Sequence, residues 1–229
     1  MADTLVKLER EYTRCRLCPR LVDWREEVAL TKRASLREHT YWGRPVPSFG
    51  PANARLLIVG LAPGAHGANR TGRPFTGDGS GPLLYSALHA AGLSNRPLSE
   101  ARNDGLVLER TRIVNAVRCV PPGNRPTPDE ISTCLPYLVR EMRMLRELRC
   151  VLCLGGIAWL AVLRACQDLG AQTPRPRPPF GHGSRADLGQ DFPALIGSYH
   201  PSRLNTNTGR LTRAMFERVV RSAAKLARG

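Results

Sequence analysis

Apolar positions along the chain fall into short continuous runs that are separated by longer amphipathic segments. Four of the runs have the length and composition of buried strands, at residues 55–60, 111–117, 150–156 and 193–200. Segments with helical spacing or helix boundary signals lie around them, at residues 3–14, 81–93, 127–148, 157–170 and 208–229. Strands that alternate with helices predict an α/β fold, in which a largely parallel sheet lies between helices.

One predicted helix has a well-marked start. Thr127 suits the N-cap, Pro128 suits the first turn, and Glu130 completes a capping box. The proline-rich segment 172–183 is predicted to be a surface loop. Because no internal repeat and no long linker divides the chain, we predict a single domain over residues 1–229.

Polar residues cluster at the ends of three of the predicted strands. They follow Gly60, surround Asn115 and begin at His200. Asn115 interrupts an apolar strand, where an unpaired amide would be costly, so a ligand is one candidate partner for it. Ligands of parallel α/β sheets bind beyond the carboxyl ends of the strands. The three clusters therefore predict one site.

The charge of the chain predicts a polyanionic partner. It carries 34 basic and 19 acidic residues, a net charge of +15, and its pI is about 10.5. No apolar run approaches the ~20 residues of a membrane-spanning helix, and the N-terminal residues lack the apolar core of a signal peptide. We therefore expect a nucleic acid as the partner, and no membrane.

The seven cysteines fall into two groups. Cys150 and Cys153 lie within one predicted strand, where residues three apart face opposite sides of the sheet, so burial is favoured over shared metal binding. Cys166 is also expected in the core. The remaining four are placed where they can act as ligands, near helix or strand ends: Cys15, Cys18, Cys119 and Cys134. Four thiolates from two segments can hold zinc or a [4Fe–4S] cluster, and spacing does not choose between them. Thiols that bind no metal are the third alternative.

The glycine-rich stretch "GLAPGAHGANRTGRPFTGDGSG" (60–81) does not fit the common phosphate-binding loops. It lacks the G-K-[ST] ending of a Walker loop and the G-x-G-x-x-G of a dinucleotide-binding fold. A flexible crossover is one interpretation. Phe75 and Asp78, framed by glycines, favour a second, in which a planar ligand stacks on Phe75 and backbone amides close around it.

This stretch, together with "HPSRLNTNTGRLT" (200–212) and the four thiols, resembles the uracil-DNA glycosylase superfamily and is most similar to its family 5 (type B) enzymes. The resemblance covers nearly the whole chain. It implies a three-layer α/β/α sandwich with a central four-stranded parallel sheet. It also implies a structural [4Fe–4S] cluster on Cys15, Cys18, Cys119 and Cys134, without redox turnover.

The resemblance also implies roles for individual residues. His200 faces the O2 carbonyl of the base, Phe75 stacks on the ring, and Asn115 contacts the hydrogen-bonding edge. The implied base-binding residues are Gly60, Leu61, Ala62, Gly64, Phe75, Asn115 and His200. The implied DNA-binding residues are Ser202, Arg203, Leu204, Arg210 and Arg213, with Leu204 as a wedge into the duplex.

The acid that other superfamily members carry at the start of the glycine-rich loop is absent here, where Leu61 and Ala62 stand. Our hypothesis is that Asp78 supplies the missing carboxylate, so that the catalytic set is Asp78, Asn115 and His200. Gly64 stands where strict uracil enzymes have a tyrosine, which predicts a roomier pocket and activity on other deaminated or damaged bases.

These inferences predict a monofunctional DNA glycosylase that flips out uracil and starts base excision repair. We expect it to be a monomer, to act on DNA that contains uracil or other damaged bases, and to be cytoplasmic and associated with the nucleoid. The alternative is a non-catalytic iron–sulfur protein that binds DNA. A redox iron–sulfur protein and a nucleotide hydrolase are further alternatives.

Overall fold

A computed structural model describes residues 3–229 of the chain. Within this range the strands are β1 (Leu56–Gly60), β2 (Thr111–Asn115), β3 (Cys150–Leu154), β4 (Arg185–Ala186) and β5 (Ala194–Ser198). The α-helices are α1 (Leu5–Tyr12), α2 (Pro19–Thr31), α3 (Ala68–Thr71), α4 (Gly81–Ala90), α5 (Pro128–Met144), α6 (Gly156–Asp168), α7 (Arg203–Asn207) and α8 (Arg213–Arg228). No helix in the described range has both the length and the apolar character needed to cross a bilayer.

The strands form a single sheet in the order β2-β1-β3-β5-β4. The first four pair in parallel, which confirms the predicted parallel sheet, and β4 pairs antiparallel to β5. The sequence did not predict β4, because two residues in a segment rich in glycine and proline carry no alternating pattern. The sheet therefore has five strands where four were expected.

The sheet buries both of its faces, as side chains that alternate along each strand require. Leu57 and Val59 of β1 face a core that α5 and α6 cover. Leu56 and Ile58 face the opposite core, which α4 and α8 cover. This arrangement confirms the predicted α/β/α layering.

The three cysteines that were predicted to be buried lie in these cores. Cys150 and Cys153 lie on opposite faces of β3, and Cys166 lies in α6 on the same side as Cys153. All three are fully buried. The prediction that this C-x-x-C pair is structural is therefore confirmed for the described chain.

Several predicted boundaries were wrong by a few residues. Strand β2 ends at Asn115 and strand β5 ends at Ser198, so Asn115 closes its strand instead of interrupting it. The last helix begins at Arg213, after the N-cap Thr212, because Gly209 adopts a positive φ of 71° that ends the preceding turn. Arg210 therefore lies in the connection before α8.

Helix α2 was not predicted at all. Its buried face consists of Leu21, Val22, Arg25 and Val28. The arginine in the middle of this face interrupts the apolar spacing that identifies an amphipathic helix. In contrast, α5 begins with the predicted capping box: the Glu130 backbone N–H donates to Thr127 Oγ1 at 3.2 Å, and the Thr127 N–H donates to Glu130 Oε2 at 2.7 Å.

A buried ionic network joins β2 to α5. Glu141 of α5 accepts from Arg112 Nε at 2.6 Å, from Ser48 Oγ at 2.9 Å and from Arg118, and all three charged side chains are at most 7% exposed. Burial acts to raise the pKa of Glu141, but the charges of Arg118 and Arg112 outweigh it and hold that pKa well below its usual value. The guanidinium of Arg118 also lies over the Tyr12 ring, at 4.4 Å, which connects α1 to the network.

We predict that Glu141→Ala destabilises the fold strongly. It leaves two buried guanidinium groups without their carboxylate, which costs about 3–5 kcal/mol. The matched control is Glu147→Ala, since Glu147 also contacts two arginines, Arg55 and Arg110, but is exposed, so its loss should cost about 1 kcal/mol or less. The measurement is the free energy of unfolding in urea, and equal losses for the two variants would contradict the prediction.

Candidate active site

The carboxyl ends of the parallel strands border one cavity of about 300 Å³. Gly60 and Asn115, the last residues of β1 and β2, are register partners, and His200 follows two residues after β5. The cavity is lined by Leu61, Ala62, Pro63, Gly64, Ala68, Phe75, Asp78, Ser80, Asn115, Asn124, His200 and Ser202. The structure therefore brings the three polar clusters together at one site.

The floor of the site depends on the absence of a side chain at Gly60. A Cβ atom at this position would lie 2.6 Å from Asn115 Oδ1 and 2.7 Å from Phe75 Cζ. Both separations are too short for non-bonded atoms. Gly60 therefore lets the ring of Phe75 and the amide of Asn115 approach the strand end together.

The backbone of Phe75 adopts a positive φ of 55°. For a bulky residue this conformation is a genuine outlier that costs about 1–3 kcal/mol. The side chain is 6% exposed, and its ring forms part of the cavity wall. The surrounding structure therefore holds this ring in place against a local conformational preference.

Phe75 and His200 both line the cavity, and their rings stack on each other. Their rings are nearly parallel, with 5.7 Å between centroids and an interplanar angle of 29°. A third ring between them would need about 7 Å, since each stacking contact takes about 3.5 Å. A planar ligand therefore has to occupy the cavity that both rings border.

His200 is uncharged near neutral pH. Burial lowers the pKa of its imidazole to about 4. Its backbone carbonyl accepts from Asn205 Nδ2 at 2.8 Å, and Asn205 in turn belongs to α7. A neutral imidazole offers one N–H donor and one acceptor nitrogen, so at neutral pH this side chain can stabilise a developing anion by donating a hydrogen bond.

Asp78 has one oxygen in use and one that faces the cavity side of the loop. Its Oδ1 accepts from the backbone N–H groups of Ser80 at 2.8 Å and Gly81 at 3.1 Å, at the start of α4. Its Oδ2 lies near Gly64 and Gly67, 3.8 Å and 3.1 Å from the positions that their Cβ atoms would take. Burial raises the pKa of this carboxyl group, while the two backbone donors and the charge of Arg203 act to lower it.

The side-chain oxygen of Asn115 has no hydrogen-bond donor in the described part of the protein. The residue is 3% exposed, and its Oδ1 is buried without a hydrogen-bond partner in the described chain. An unsatisfied buried amide oxygen costs about 1–3 kcal/mol. This cost favours a ligand that donates a hydrogen bond at this point.

Gly64 is not required by the backbone or by close neighbours. A Cβ atom there would meet its nearest neighbours, atoms of Asp78, at 3.8 Å, which is an ordinary contact. The absence of a side chain at this position therefore leaves free space at the cavity.

Of the five predicted DNA-binding residues, Ser202 lines the cavity and the other four do not. The Arg203 side chain packs against Gly79, and Leu204 is 73% exposed. Arg210 lies over the ring of Tyr199 at 4.6 Å. Arg213 is exposed and donates to Glu217 at 2.8 Å, so part of its charge is already paired.

The four remaining thiols line a second cleft, between the N-terminal segment and the start of α5. Cys15 and Cys18 come from the connection between α1 and α2, Cys119 follows β2, and Cys134 belongs to α5. Burial raises the pKa of Cys119 to about 11 and that of Cys134 to about 12. Metal binding at these thiols must therefore release protons.

The arrangement of the thiols does not suit one metal ion. Among residues 3–229, no group of three or more His, Cys, Asp or Glu side chains is placed to hold a single ion. Four thiolates around one tetrahedral zinc at about 2.3 Å would lie about 3.8 Å apart. In an iron–sulfur cluster each thiolate binds a different iron, so the sulfur atoms are spaced more widely.

Arg25 is a functional candidate that the sequence did not reveal. It is 2% exposed, and its Nη1 donates to Cys119 Sγ at 3.0 Å and to the Cys15 carbonyl at 3.2 Å. A buried positive charge beside thiols favours their deprotonated form. Because the helix that carries Arg25 was not predicted, only the structure identifies this contact.

Other residues of the cavity wall were also missed. Pro63, Ala68, Ser80 and Asn124 line it. Asn124 has a positive φ of 57° in the turn "PPGN", and the proline–glycine turn was the one signal that could have drawn attention to it.

Comparison with known proteins agrees with this geometry. The model of the uracil DNA glycosylase superfamily matches residues 47–224. A type-5 uracil-DNA glycosylase of Mycobacterium tuberculosis is 52% identical over 227 residues, which cover 99% of this chain and 83% of the relative. A type-5 uracil-DNA glycosylase of Thermus thermophilus is 51% identical, over 94% of this chain and 94% of the relative. One of Pyrobaculum aerophilum is 47% identical, over 92% of this chain and 88% of the relative.

The matched residues include the glycine-rich loop, the ends of β1 and β2 and the segment that follows β5. Similarity of this extent over nearly the whole chain shows the family directly. The chain therefore belongs to the uracil-DNA glycosylase superfamily and, within it, to the type-5 enzymes.

Proposed function

We propose that the chain excises uracil from DNA by hydrolysing the N-glycosidic bond, as the first step of base excision repair. The type-5 relatives are named for this activity. The observation that carries the proposal for this chain is the cavity that Phe75, Asn115 and His200 border at the sheet edge. A non-catalytic DNA-binding function accounts for neither the named activity nor a cavity with these groups.

A base within a duplex has to leave the stack to reach such a cavity. Flipping costs a few kcal/mol, and least for a mismatched base such as uracil opposite guanine. Leu204 is proposed to fill the gap in the duplex, which its 73% exposure supports. Ser202, Arg203, Arg210 and Arg213 are proposed to contact the DNA backbone, with support from the net charge of +15.

Inside the cavity, two side chains are proposed to recognise the base. Phe75 stacks on its face, and the unpartnered Oδ1 of Asn115 accepts from a ring N–H. The backbone around Gly60, Leu61 and Ala62 completes the binding surface. Burial of these groups makes each polar contact specific, because a base that cannot supply the matching partner leaves the amide unsatisfied.

Bond cleavage leaves an anion on the base and a cation on the sugar. His200 is proposed to donate its N–H to the base oxygen at position two as negative charge develops there. A preorganised donor of this kind lowers the barrier by about 3 kcal/mol. Its low pKa supports a neutral donor, which stabilises the anion without a transfer of its own proton.

Asp78 is proposed to act on the sugar side. Its Oδ1 is held by Ser80 and Gly81, which leaves Oδ2 to orient a water molecule or to stabilise the sugar cation. The small residues Ala62 and Gly64 leave space around the ring. We propose on this basis that hydroxymethyluracil, ethenocytosine and hypoxanthine are also substrates.

Cys15, Cys18, Cys119 and Cys134 are proposed to hold a [4Fe–4S] cluster. The support is a donor set of four thiols in one cleft and the buried cation of Arg25 beside Cys119. When bound, the cluster would cross-link the N-terminal segment to α5. A monomeric state and a location at the nucleoid remain predictions.

The activity is tested by incubating a uracil-containing duplex with the protein and then heating it in alkali, because alkali breaks the strand only at an abasic site. We predict that His200→Ala lowers the single-turnover rate about 100-fold, whereas His39→Ala, which changes an exposed histidine, leaves it unchanged. Because burial lowers the pKa of His200 to about 4, its imidazole stays neutral from pH 5.5 to 8.5, and we expect no inflection from this residue in the wild-type rate over that range. An inflection near pH 6.5 that disappears in His200→Ala would contradict a neutral donor.

Asp78→Asn tests the carboxylate. The asparagine Oδ1 can still accept from Ser80 and Gly81, so the helix start is kept while the charge is lost. We expect the single-turnover rate on uracil to fall about 100-fold. Asp187→Asn is the matched control, because Asp187 also accepts from a backbone N–H but is exposed; a wild-type rate in Asp78→Asn would show that the assignment is wrong.

The cluster is tested by metal analysis of protein purified without oxygen. We predict iron and sulfide in equal amounts, about four of each per chain, and their loss in Cys119→Ser. Cys153→Ser is the control, since Cys153 is buried in the sheet and should keep full iron content. If the wild type instead contains one zinc per chain that is lost in Cys119→Ser, the cluster proposal is wrong and the four thiols form a zinc site.

A further inference from the structure

The segment that carries Phe75 is held from behind by a loop that does not line the cavity. This loop, residues 96–104, lies between α4 and β2 and is here called the bracing loop. Four side chains make the connection: Arg73 and Thr76 on one side, and Ser99 and Asp104 of the loop on the other. The proposed function assigns no role to this loop.

Arg73 is buried and uses both ends of its guanidinium on the bracing loop. It is 5% exposed, and its Nη1 donates to Asp104 Oδ1 at 2.7 Å and to Ser99 Oγ at 3.1 Å. Its Nη2 donates to the carbonyl of Arg102. The face of the guanidinium lies 4.4 Å from the centre of the Phe49 ring.

Asp104 has no free hydrogen-bonding capacity toward solvent. In addition to Arg73, it accepts from the backbone N–H groups of Glu100 at 2.8 Å, Ala101 at 3.3 Å and Leu106 at 3.0 Å. The side chains of Arg73 and Asp104 are 6% and 8% exposed. A buried ion pair with this many partners fixes the geometry of both chain segments.

The residues on either side of Phe75 are tied down as well. Thr76 Oγ1 and Ser99 Oγ are 2.7 Å apart, and the fully buried Tyr85 donates to the Pro74 carbonyl at 2.8 Å. The peptide groups around Phe75 therefore have fixed partners before and after the residue. A positive φ at a bulky residue persists only where its surroundings impose it.

We propose that Arg73, Asp104 and Ser99 are positioning residues. They hold the backbone of Phe75 in its left-handed conformation, so that the phenyl ring stacks on the face of the flipped base. The proposal rests on the stacking role given to Phe75 in the proposed function. The bracing loop acts through this ring alone, since none of the three residues borders the cavity. Loss of the brace lets residue 75 relax to an ordinary conformation and turns the ring away from the base.

A double-mutant cycle between Ser99 and Phe75 tests the proposal. The measurement is the single-turnover rate on a duplex with one uracil, at saturating enzyme, and the enzyme concentration that gives half the maximal rate. We expect Phe75→Ala to lower the maximal rate about 10- to 100-fold, the usual range for loss of a base-stacking side chain. We expect Ser99→Ala to lower it about fivefold, with DNA affinity unchanged, because the hydrogen bonds of the Ser99 hydroxyl with Arg73 and Thr76 are lost.

The decisive comparison is Ser99→Ala in the Phe75→Ala background. If the brace acts through the ring, the second substitution changes the rate less than twofold, since the ring is already gone. Ser99→Thr keeps the hydroxyl group and should restore most of the rate. Ser132→Ala is the matched control, because Ser132 also accepts from an arginine, Arg164, at 3.0 Å but lies far from the cavity.

Two other outcomes are distinguishable. If Ser99→Ala lowers the single-turnover rate fivefold in the Phe75→Ala background as well, the three residues do not act through the Phe75 ring, and the stacking role of Phe75 is unaffected. A wild-type rate for Phe75→Ala would overturn the stacking role itself and the brace with it. Thr76→Val removes the hydrogen bond with Ser99 from the other side and keeps the shape of the side chain, so it provides a second variant if Ser99→Ala does not fold.

Discussion

The close approach of the Phe75 ring and the Asn115 amide to the end of β1 is the constraint on which the site depends. It requires a glycine at position 60 and an unfavourable backbone conformation at Phe75. Neither condition contributes to folding, and both cost free energy. The rest of the fold supplies that free energy: the two buried faces of the sheet stabilise the strand ends, and hydrogen bonds on both sides of Phe75 hold its backbone.

Buried arginines connect the parts of the fold that the sheet does not. Arg118 joins α1 to α5 through Tyr12 and Glu141, and Arg25 joins α2 to the thiol cleft. In each case a cation is taken out of water only where a carboxylate, a carbonyl group or a thiol faces it, as the cost of desolvation requires. The positive charge of the chain thus has two uses, because exposed arginines can meet DNA while the buried ones organise the N-terminal segment.

The sequence predicted the parallel sheet and the position of the site because both depend on local patterns. Apolar runs identify strands, and polar residues directly after three of them converge at one sheet edge. It did not predict α2, where Arg25 lies on the buried face, nor the contact of Asp104 with Arg73. Such contacts join residues far apart in the chain, and their partners are fixed by tertiary packing, which leaves no periodic signal.

Gly64 differs from Gly60 in the reason for its small size. At Gly60 any side chain collides with its neighbours, whereas at Gly64 an added carbon atom meets only ordinary contacts. The fold therefore has room for at least one more carbon atom at position 64, and such an addition would narrow the cavity. Position 60 secures the close packing at the strand end, whereas position 64 sets how much room remains beside it, so the two glycines meet separate demands.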